Sequence, residues 1–599
     1  MDKREEPERI GDDLDDSVSS RRMNWASRQL REAPRRLFGR WVQRLPLDFR
    51  VLYKQFLLRI LDLEALSIET DMVEYLAQFA GILIFISAIQ GLGVILLRTF
   101  HPEPFTSLEL YGMGWKSEHG IVEKMLLVAG LVVVFLWDTP FPDRRDVMVL
   151  GPLPVRPGTI LAAKLASPVA VLGLAVVCLN WATNLTWPSV LSGGLRLFAA
   201  CWLAVIAVTV FLFAILLAAE GLGALLLPRQ IFLRLSALAQ LAAFALFPIG
   251  YFLFGQLDSP AAMMASEKHW IVDYWPGYWF LALLKQVAGE LPPEMSWLAW
   301  RAWGALALSI LSAAAALIAC YRRALRRIAE QPDLEPARSG HEWRVSFGDR
   351  PQTALVYFSL FTLVRSRQHR IALAFIWALV LGLASGMAHD WLETHGPRPV
   401  DEIFLTCTLL MMALAVCGMR GVFSLPVAHK ANWMLRVTQL RPTDRYLAST
   451  RRTLLLLAVV PVWMSAALFS VHYRPWSMAA GHLFVLAIFG LLAIEISLIG
   501  FAKVPFTCSF LPGKTNMQYL FWGFVLAAVL IVGFVTDCEW PALASVGGFT
   551  VLTTLGIIAV LALRHWNRAR ERQAELYFEE KPEQQMITLG LKVNPEKRM

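Results

Sequence analysis

Two carboxylates stand where a lipid-embedded helix tolerates them least. Glu220 closes the run Leu216-Leu217-Ala218-Ala219-Glu220, and Glu495 closes Leu491-Leu492-Ala493-Ile494-Glu495. A charge at membrane depth is costly unless it faces protein, water or a partner, so both are functional candidates by residue type. Either the two meet at an interface between halves of the chain, or each pairs with an arginine near the inner leaflet. Other groupings fail on spacing. Gly513-Lys514-Thr515 ends like a phosphate-binding loop, but the first glycine of that motif falls on Cys508. His341-Glu342-Trp343 has no second histidine at metalloprotease spacing. Ser385-Gly386, within Gly-Leu-Ala-Ser-Gly, misses a Gly-x-Ser-Gly nucleophile turn by one position. His389, Asp390, Glu393 and His395 read as a solvated polar loop rather than a metal site. The seven cysteines stand singly, without paired spacing. No catalytic residue, cofactor or metal is expected, and the chain is not expected to be an enzyme.

The elements that carry these residues follow from composition. Of 599 residues, 56% are hydrophobic and only 17% charged, against about 45–50% and 25% in soluble domains. Apolar runs recur near 76–97, 122–137, 160–180, 197–219, 232–254, 298–320, 371–388, 403–419, 453–471, 482–502, 519–536 and 541–563. Each approaches the length that crosses a bilayer as a helix. The expected fold is an all-α polytopic membrane protein of about twelve transmembrane helices. With the N-terminus inside, most of the 56 Lys and Arg fall on cytoplasmic segments. Both termini are therefore expected in the cytoplasm, and the membrane is expected to be the plasma (bacterial inner) membrane. The net charge of +9 then reflects topology and lipid contact, not nucleic acid. No apolar core lies within the first 50 residues, so the first span is expected to act as the insertion signal.

Residues 1–20 carry eight acids and are expected to be a disordered tail. Residues 21–74 interleave basic and apolar side chains. Arg50 and Lys54 share one helical side and Leu52, Phe56, Ile60 and Leu63 another, which predicts an amphipathic interfacial helix. Residues 75–328 form a first six-helix lobe, 329–352 a cytoplasmic linker, 353–571 a second six-helix lobe and 572–599 a cytoplasmic tail. The lobes read as pseudo-repeats. Leu153-Pro154-Val155 and Leu425-Pro426-Val427 each follow the second span of a half, and the two glutamate runs each close the fourth span. The halves differ in their outer connections. Residues 255–297 include Tyr274-Trp275-Pro276 through Trp279 and predict a short helix on the outer face, whereas Thr536–Trp540 predicts only a short loop.

After the second span the chain runs Asp143-Arg144-Arg145-Asp146-Val147-Met148-Val149-Leu150-Gly151-Pro152-Leu153-Pro154-Val155-Arg156-Pro157, and then Leu161-Ala162-Ala163-Lys164-Leu165. A charged loop stiffened by three prolines suits a rigid cytoplasmic knob. This order, with the basic amphipathic segment before it and the Trp275-Pro276-Trp279 segment after it, resembles the membrane subunits of type-two ATP-binding-cassette exporters. The resemblance covers about residues 50–328, and residues 353–571 look like a diverged second copy. It implies a separate cytoplasmic ATP-binding subunit, in two copies, and export of an unidentified substrate. It also implies a coupling role for Arg144, Arg145, Asp146, Pro154, Arg156 and Lys164, and for Pro426, Lys430 and Arg436 in the second copy. Two rival readings are a secondary transporter of the same six-plus-six plan and an integral-membrane transferase acting on lipid-linked substrates.

Overall fold

The computed structural model describes residues 46–61, 72–100, 108–137, 139–141, 144–190, 194–254, 264, 269–330, 345–393, 398–427, 444–471, 473–501, 503–507, 517–573 and 576. They are almost entirely helical. In chain order the helices are α1 (Leu47–Leu61), α2 (Met72–Phe100), α3 (Leu108–Phe135), α4 (Arg144–Leu150), α5 (Pro157–Val190), α6 (Gly194–Leu226) and α7 (Arg229–Phe254). They continue as α8 (His269–Tyr274), α9 (Pro276–Ala288), α10 (Ser296–Glu330), α11 (Arg350–Arg365), α12 (Arg367–Glu393) and α13 (Glu402–Val422). The last are α14 (Asp444–Leu454), α15 (Val460–Ser470), α16 (Trp476–Ser497), α17 (Met517–Leu543) and α18 (Val546–Gln573). The only described strands, Arg398–Pro399 and Tyr473–Arg474, form one short parallel pair. The tail 1–20 and most of 572–599 lie outside the described residues.

Among the described residues, nine helices are long and apolar enough to cross a membrane. This is a multi-pass membrane protein, and nine of the expected spans fall on those helices. The other three fall on α2, α3 and α17. There the expected bounds need correction. α3 begins at Leu108, well before the apolar run at 122, because its polar residues Glu118, His119, Glu123 and Lys124 are buried by neighbouring helices. A hydropathy window reads such residues as loop. Likewise Thr536–Trp540, expected as a loop, continues α17 through Pro541, and Glu539 within it is fully buried. α11 covers the end of the expected linker and carries Pro351 in its first turn, where a fixed φ and a missing N–H are tolerated.

Asp401 caps α13, its Oδ1 accepting from the Phe404 amide at 2.8 Å. Between α14 and α15 the helix widens into a π-type turn at Leu455–Val459, where the Val460 amide donates to the Leu455 carbonyl. Pro461 follows, and having no N–H it cannot bond back to Leu457, so the ladder is already interrupted at this point.

By its contacts the chain divides into two compact units. The smaller comprises 1–60 and 139–170, and the larger 61–138 and 171–599. In the larger unit α7 and α12, which belong to the two expected lobes, pack along each other. Val134, Phe244 and Ala378 share one buried cluster there. A second core gathers α12, α13, α15 and α16 around Leu409, Met412, Val416 and Leu486.

Candidate functional site

The smaller unit holds most of the charged loop. On α1, Leu52 and Phe56 are buried, and with Ile60 they form the apolar side that the i, i+4 spacing predicts. Leu52 and Phe56 pack on Ala163 with Leu150, Val155 and Ile160 around them. Asp146 and Lys164 are both buried, 7% and 4% exposed, and form an ion pair. Arg59 reaches the same carboxylate at 2.7 Å. The Lys164 ammonium also donates to the Phe141 carbonyl at 2.6 Å and lies 5.4 Å from the Phe56 ring centre. Asp146 and Lys164 therefore face inward and fasten α1, α4 and the first turns of α5 together.

What the unit presents outward is different. Met148 and Val149 on α4 are 66% and 60% exposed, and Leu153 in the following turn is 49% exposed. Pro154 and Arg156 beside them are exposed too. The turn is closed by backbone bonds from Gly151 to Val147 and from Leu153 to Leu150, and Pro157 opens α5. The side chains of Arg144 and Arg145 lie outside the described residues. Reading by charge did not single out Met148, Val149 and Leu153 as exposed, because an apolar residue near a membrane attracts no notice in sequence.

The second Leu-Pro-Val sequence sits differently. Pro426 is buried, and Val427 donates its amide to the Phe506 carbonyl at 3.0 Å, while Phe506 donates to Phe423 at 2.9 Å. This turn is sewn into the larger unit, whereas Pro154 projects. Lys430 and Arg436 lie outside the described residues.

The two glutamates have unlike surroundings. Glu220, buried on α6, accepts from the Ser236 hydroxyl at 2.5 Å, and Ser236 accepts from the Trp137 indole at 2.9 Å. Glu495, buried on α16, pairs with Arg451 (Nε–Oε1 3.0 Å) and accepts from the Asn567 amide at 3.0 Å. Arg451 also pairs with Glu571 of α18. So Glu495 takes the arginine partner anticipated as one alternative, whereas Glu220 is held by a hydroxyl. Each glutamate is taken up by its own helices, and the structure does not pair the two.

The aromatic segment expected on the outer face forms the two short helices α8 and α9, broken at Trp275-Pro276. Trp275 and Trp279 turn inward. The Trp275 indole donates to Glu123 at 2.6 Å, and the Trp279 indole to the Asp273 carbonyl at 3.0 Å. They pack on a core of Trp115, Tyr278, Leu281 and Leu298. The exposed aromatics suited to the headgroup level are Trp270, Tyr274 and Trp300. Glu123 approaches the start of α9 so closely that a Cβ on Gly277 would lie 1.8 Å from its Oε1. The other end of α9 closes on Gly289 at φ 84°, whose amide donates to the Lys285 carbonyl at 2.9 Å.

Lys285 anchors this cap. Its ammonium lies 2.6 Å from the buried Glu118 and 2.8 Å from Glu290, above the Trp115 ring. Burial alone would pull the Lys285 pKa down, but the charges and hydrogen bonds of Glu118 and Glu290 outweigh it and hold the pKa above its ordinary value. On α3 the His119 Nε2 sits 3.0 Å from Glu123, and the His119 ring stacks on Tyr278 at 4.5 Å. In the other half His482 bridges Thr408 at 2.7 Å and Glu539 at 2.8 Å. None of these buried pairs was singled out in sequence: Lys285–Glu118 and His482–Glu539 join helices distant along the chain, while His119 and Glu123, four residues apart on α3, flank the start of an apolar run and read there as loop. No cluster of three or more metal-ligating side chains occurs among the described residues.

No family model, no curated protein and no solved structure matches this chain.

Proposed function

We propose that this chain is the membrane-spanning subunit of an ATP-binding-cassette exporter, driven by a separate cytoplasmic ATPase. In this reading about twelve spans form two six-helix pseudo-repeats in a plasma membrane, with both termini in the cytoplasm. One observation carries it. The unit of α1, α4 and the start of α5 is fastened internally by Asp146, Lys164 and Arg59, yet exposes Met148, Val149 and Leu153 beside Arg156. A rigid body with an apolar tip and a flanking cation is what a partner needs to grip when its closure must move helices. Burying those three side chains supplies about 1.5–3 kcal/mol each at full burial, enough to anchor an interface around a few residues. Among the described residues the second Leu-Pro-Val turn buries its proline where the first exposes it, so in this reading two ATPase copies would meet unlike surfaces.

The test is co-purification. An ATPase encoded beside this chain is expected to copurify with it. Val149→Asp together with Leu153→Asp should release the ATPase while the chain still inserts and purifies. Retention of the ATPase by that variant, or the lack of any copurifying nucleotide-binding chain, would refute the reading. The buried His119–Glu123 pair is the one observation favouring a secondary transporter. Substrate movement driven by a proton gradient in vesicles lacking ATP would establish that rival.

A further inference from the structure

A cavity of about 370 Å³ opens in the larger unit between α11, α14, α16 and α18. Its lining divides by chemistry. Leu455, Leu491, Ile494 and Val560 form an apolar flank. Five arginines, at 451, 452, 564, 568 and 572, surround the rest against two glutamates, 495 and 571. Those two acids are both engaged by Arg451. Arg452 is turned to the Phe347 carbonyl and to Gln352 Oε1 at 2.6 Å. Arg564 and Arg568, one helical turn apart on α18, are exposed and have no acidic partner among the described residues. Arg564 and Arg568 thus bring to the cavity two cations that neither of its wall carboxylates pairs.

Its depth in the membrane follows from α18 itself. Val551, Leu555, Ile558 and Leu561 are large, apolar and exposed, as a lipid-facing stripe must be. Directly after them come Arg564, His565 and Arg568, and the exposed Trp566 stacks under Arg570 at 4.6 Å. A tryptophan beside arginines at the end of an apolar stripe marks headgroup level. Leu491, also exposed, continues the apolar flank toward the lipid.

We propose that this cavity binds the phosphate of an anionic membrane lipid, with Arg564 and Arg568 on the phosphate and an acyl chain along Leu491 and Val560. Arginine suits the task because its planar fork meets phosphate oxygens with paired, charge-assisted bonds. Basic pockets between spans at the cytoplasmic surface bind anionic headgroups by the same physics. The site is independent of what the protein transports and of whether an ATPase drives it.

The experiment uses the full-length chain in neutral detergent, with three probes: phosphatidylglycerol, phosphatidylcholine and inorganic phosphate. Native mass spectrometry counts bound lipid, and a titration gives its affinity. Phosphatidylglycerol is expected to bind at least tenfold more tightly than phosphatidylcholine. Arg564→Gln with Arg568→Gln should weaken phosphatidylglycerol at least tenfold, whereas Arg570→Gln, stacked on Trp566 outside the cavity, should not. Leu491→Trp, which fills the apolar flank, should weaken the lipid without weakening inorganic phosphate. Equal binding of the two lipids would overturn the proposal, as would equal losses in the Arg570 control and the double variant. Inorganic phosphate binding as tightly as phosphatidylglycerol with the same arginine dependence would assign the site to a soluble phosphate and overturn the lipid.

Discussion

Replacing Asp146 with alanine tests whether the small unit is one rigid body. The carboxylate is buried and shared between Lys164, itself buried, and Arg59, whose side chain is 44% exposed. Removing it leaves the Lys164 ammonium in an apolar setting of Phe56, Leu52 and Ala163, with the Phe141 carbonyl as a remaining acceptor. Breaking a buried pair from one side costs about 3–5 kcal/mol, because a charge is stranded. The Arg59 contact, partly in solvent, adds only about 0.2–1 kcal/mol. A loss of about 3 kcal/mol corresponds to roughly a hundredfold or more in a local opening equilibrium. Amide hydrogen exchange across 144–165 reads this directly, since local opening need not unfold the spans. The double change Asp146→Leu with Lys164→Met removes both charges and should recover most of the protection, as apolar replacement of a buried pair is often neutral. An Asp146→Ala change that raises exchange less than about threefold, or a double variant no better than the sum of its singles, would refute the reasoning.

The two glutamates should separate in the same way. Glu495→Gln weakens a charge-assisted contact to Arg451 and should cost about 1.5–3 kcal/mol in thermal stability, read as a lowered melting temperature. Glu220→Gln still accepts from Ser236 and should cost no more than about 0.5–1.5 kcal/mol. Gly289→Ala places a Cβ at φ 84° and within 2.6 Å of the Arg196 guanidinium. It should destabilise by about 1–2 kcal/mol, visible as faster proteolysis after α9. Lys285→Met strands Glu118 and should cost about 3 kcal/mol or more. Because Glu118 and Glu290 raise the Lys285 pKa despite its burial, the wild-type contribution is complete below the ordinary lysine pKa of 10.5 and fades only as pH climbs past the raised value. Alkaline melting curves of wild type and variant should therefore converge above that range and stay apart below it.

Much of the architecture could be read from the chain alone, and the exceptions share one cause. Runs such as those of α5, α6 and α16 are apolar enough that no structure but a helix can satisfy their backbone in lipid. The first turns of α3 and the end of α17 escaped because Glu118, His119 and Glu539 look like loop residues. Their partners Lys285, Tyr278 and His482 sit on other helices, and no spacing rule connects such residues. The same limit applies to function. Charge patterning drew attention to Asp146 and Lys164 and to Arg156 together, but burial separates them. The first two serve the inside of the unit, and only the third is offered outward with Met148, Val149 and Leu153. The paired glutamates were legible as unusual, while their unlike partners, Ser236 and Arg451, were not.

The widened turn at Leu455–Val459 acts as a phase adjuster. A helix advances about 100° per residue, so Arg451 and Trp463 on an uninterrupted rod would point about 120° apart. Absorbing one additional residue turns that divergence into about 20°. Arg451 then meets Glu495 near one end of α16, while the Trp463 indole donates to the Leu483 carbonyl at 2.9 Å toward the other. A single neighbouring helix is thereby gripped at both ends by one continuous rod. Deleting one residue from 455–459 would swing whichever half relaxes away from its hold, and an insertion there would do the same in the opposite sense.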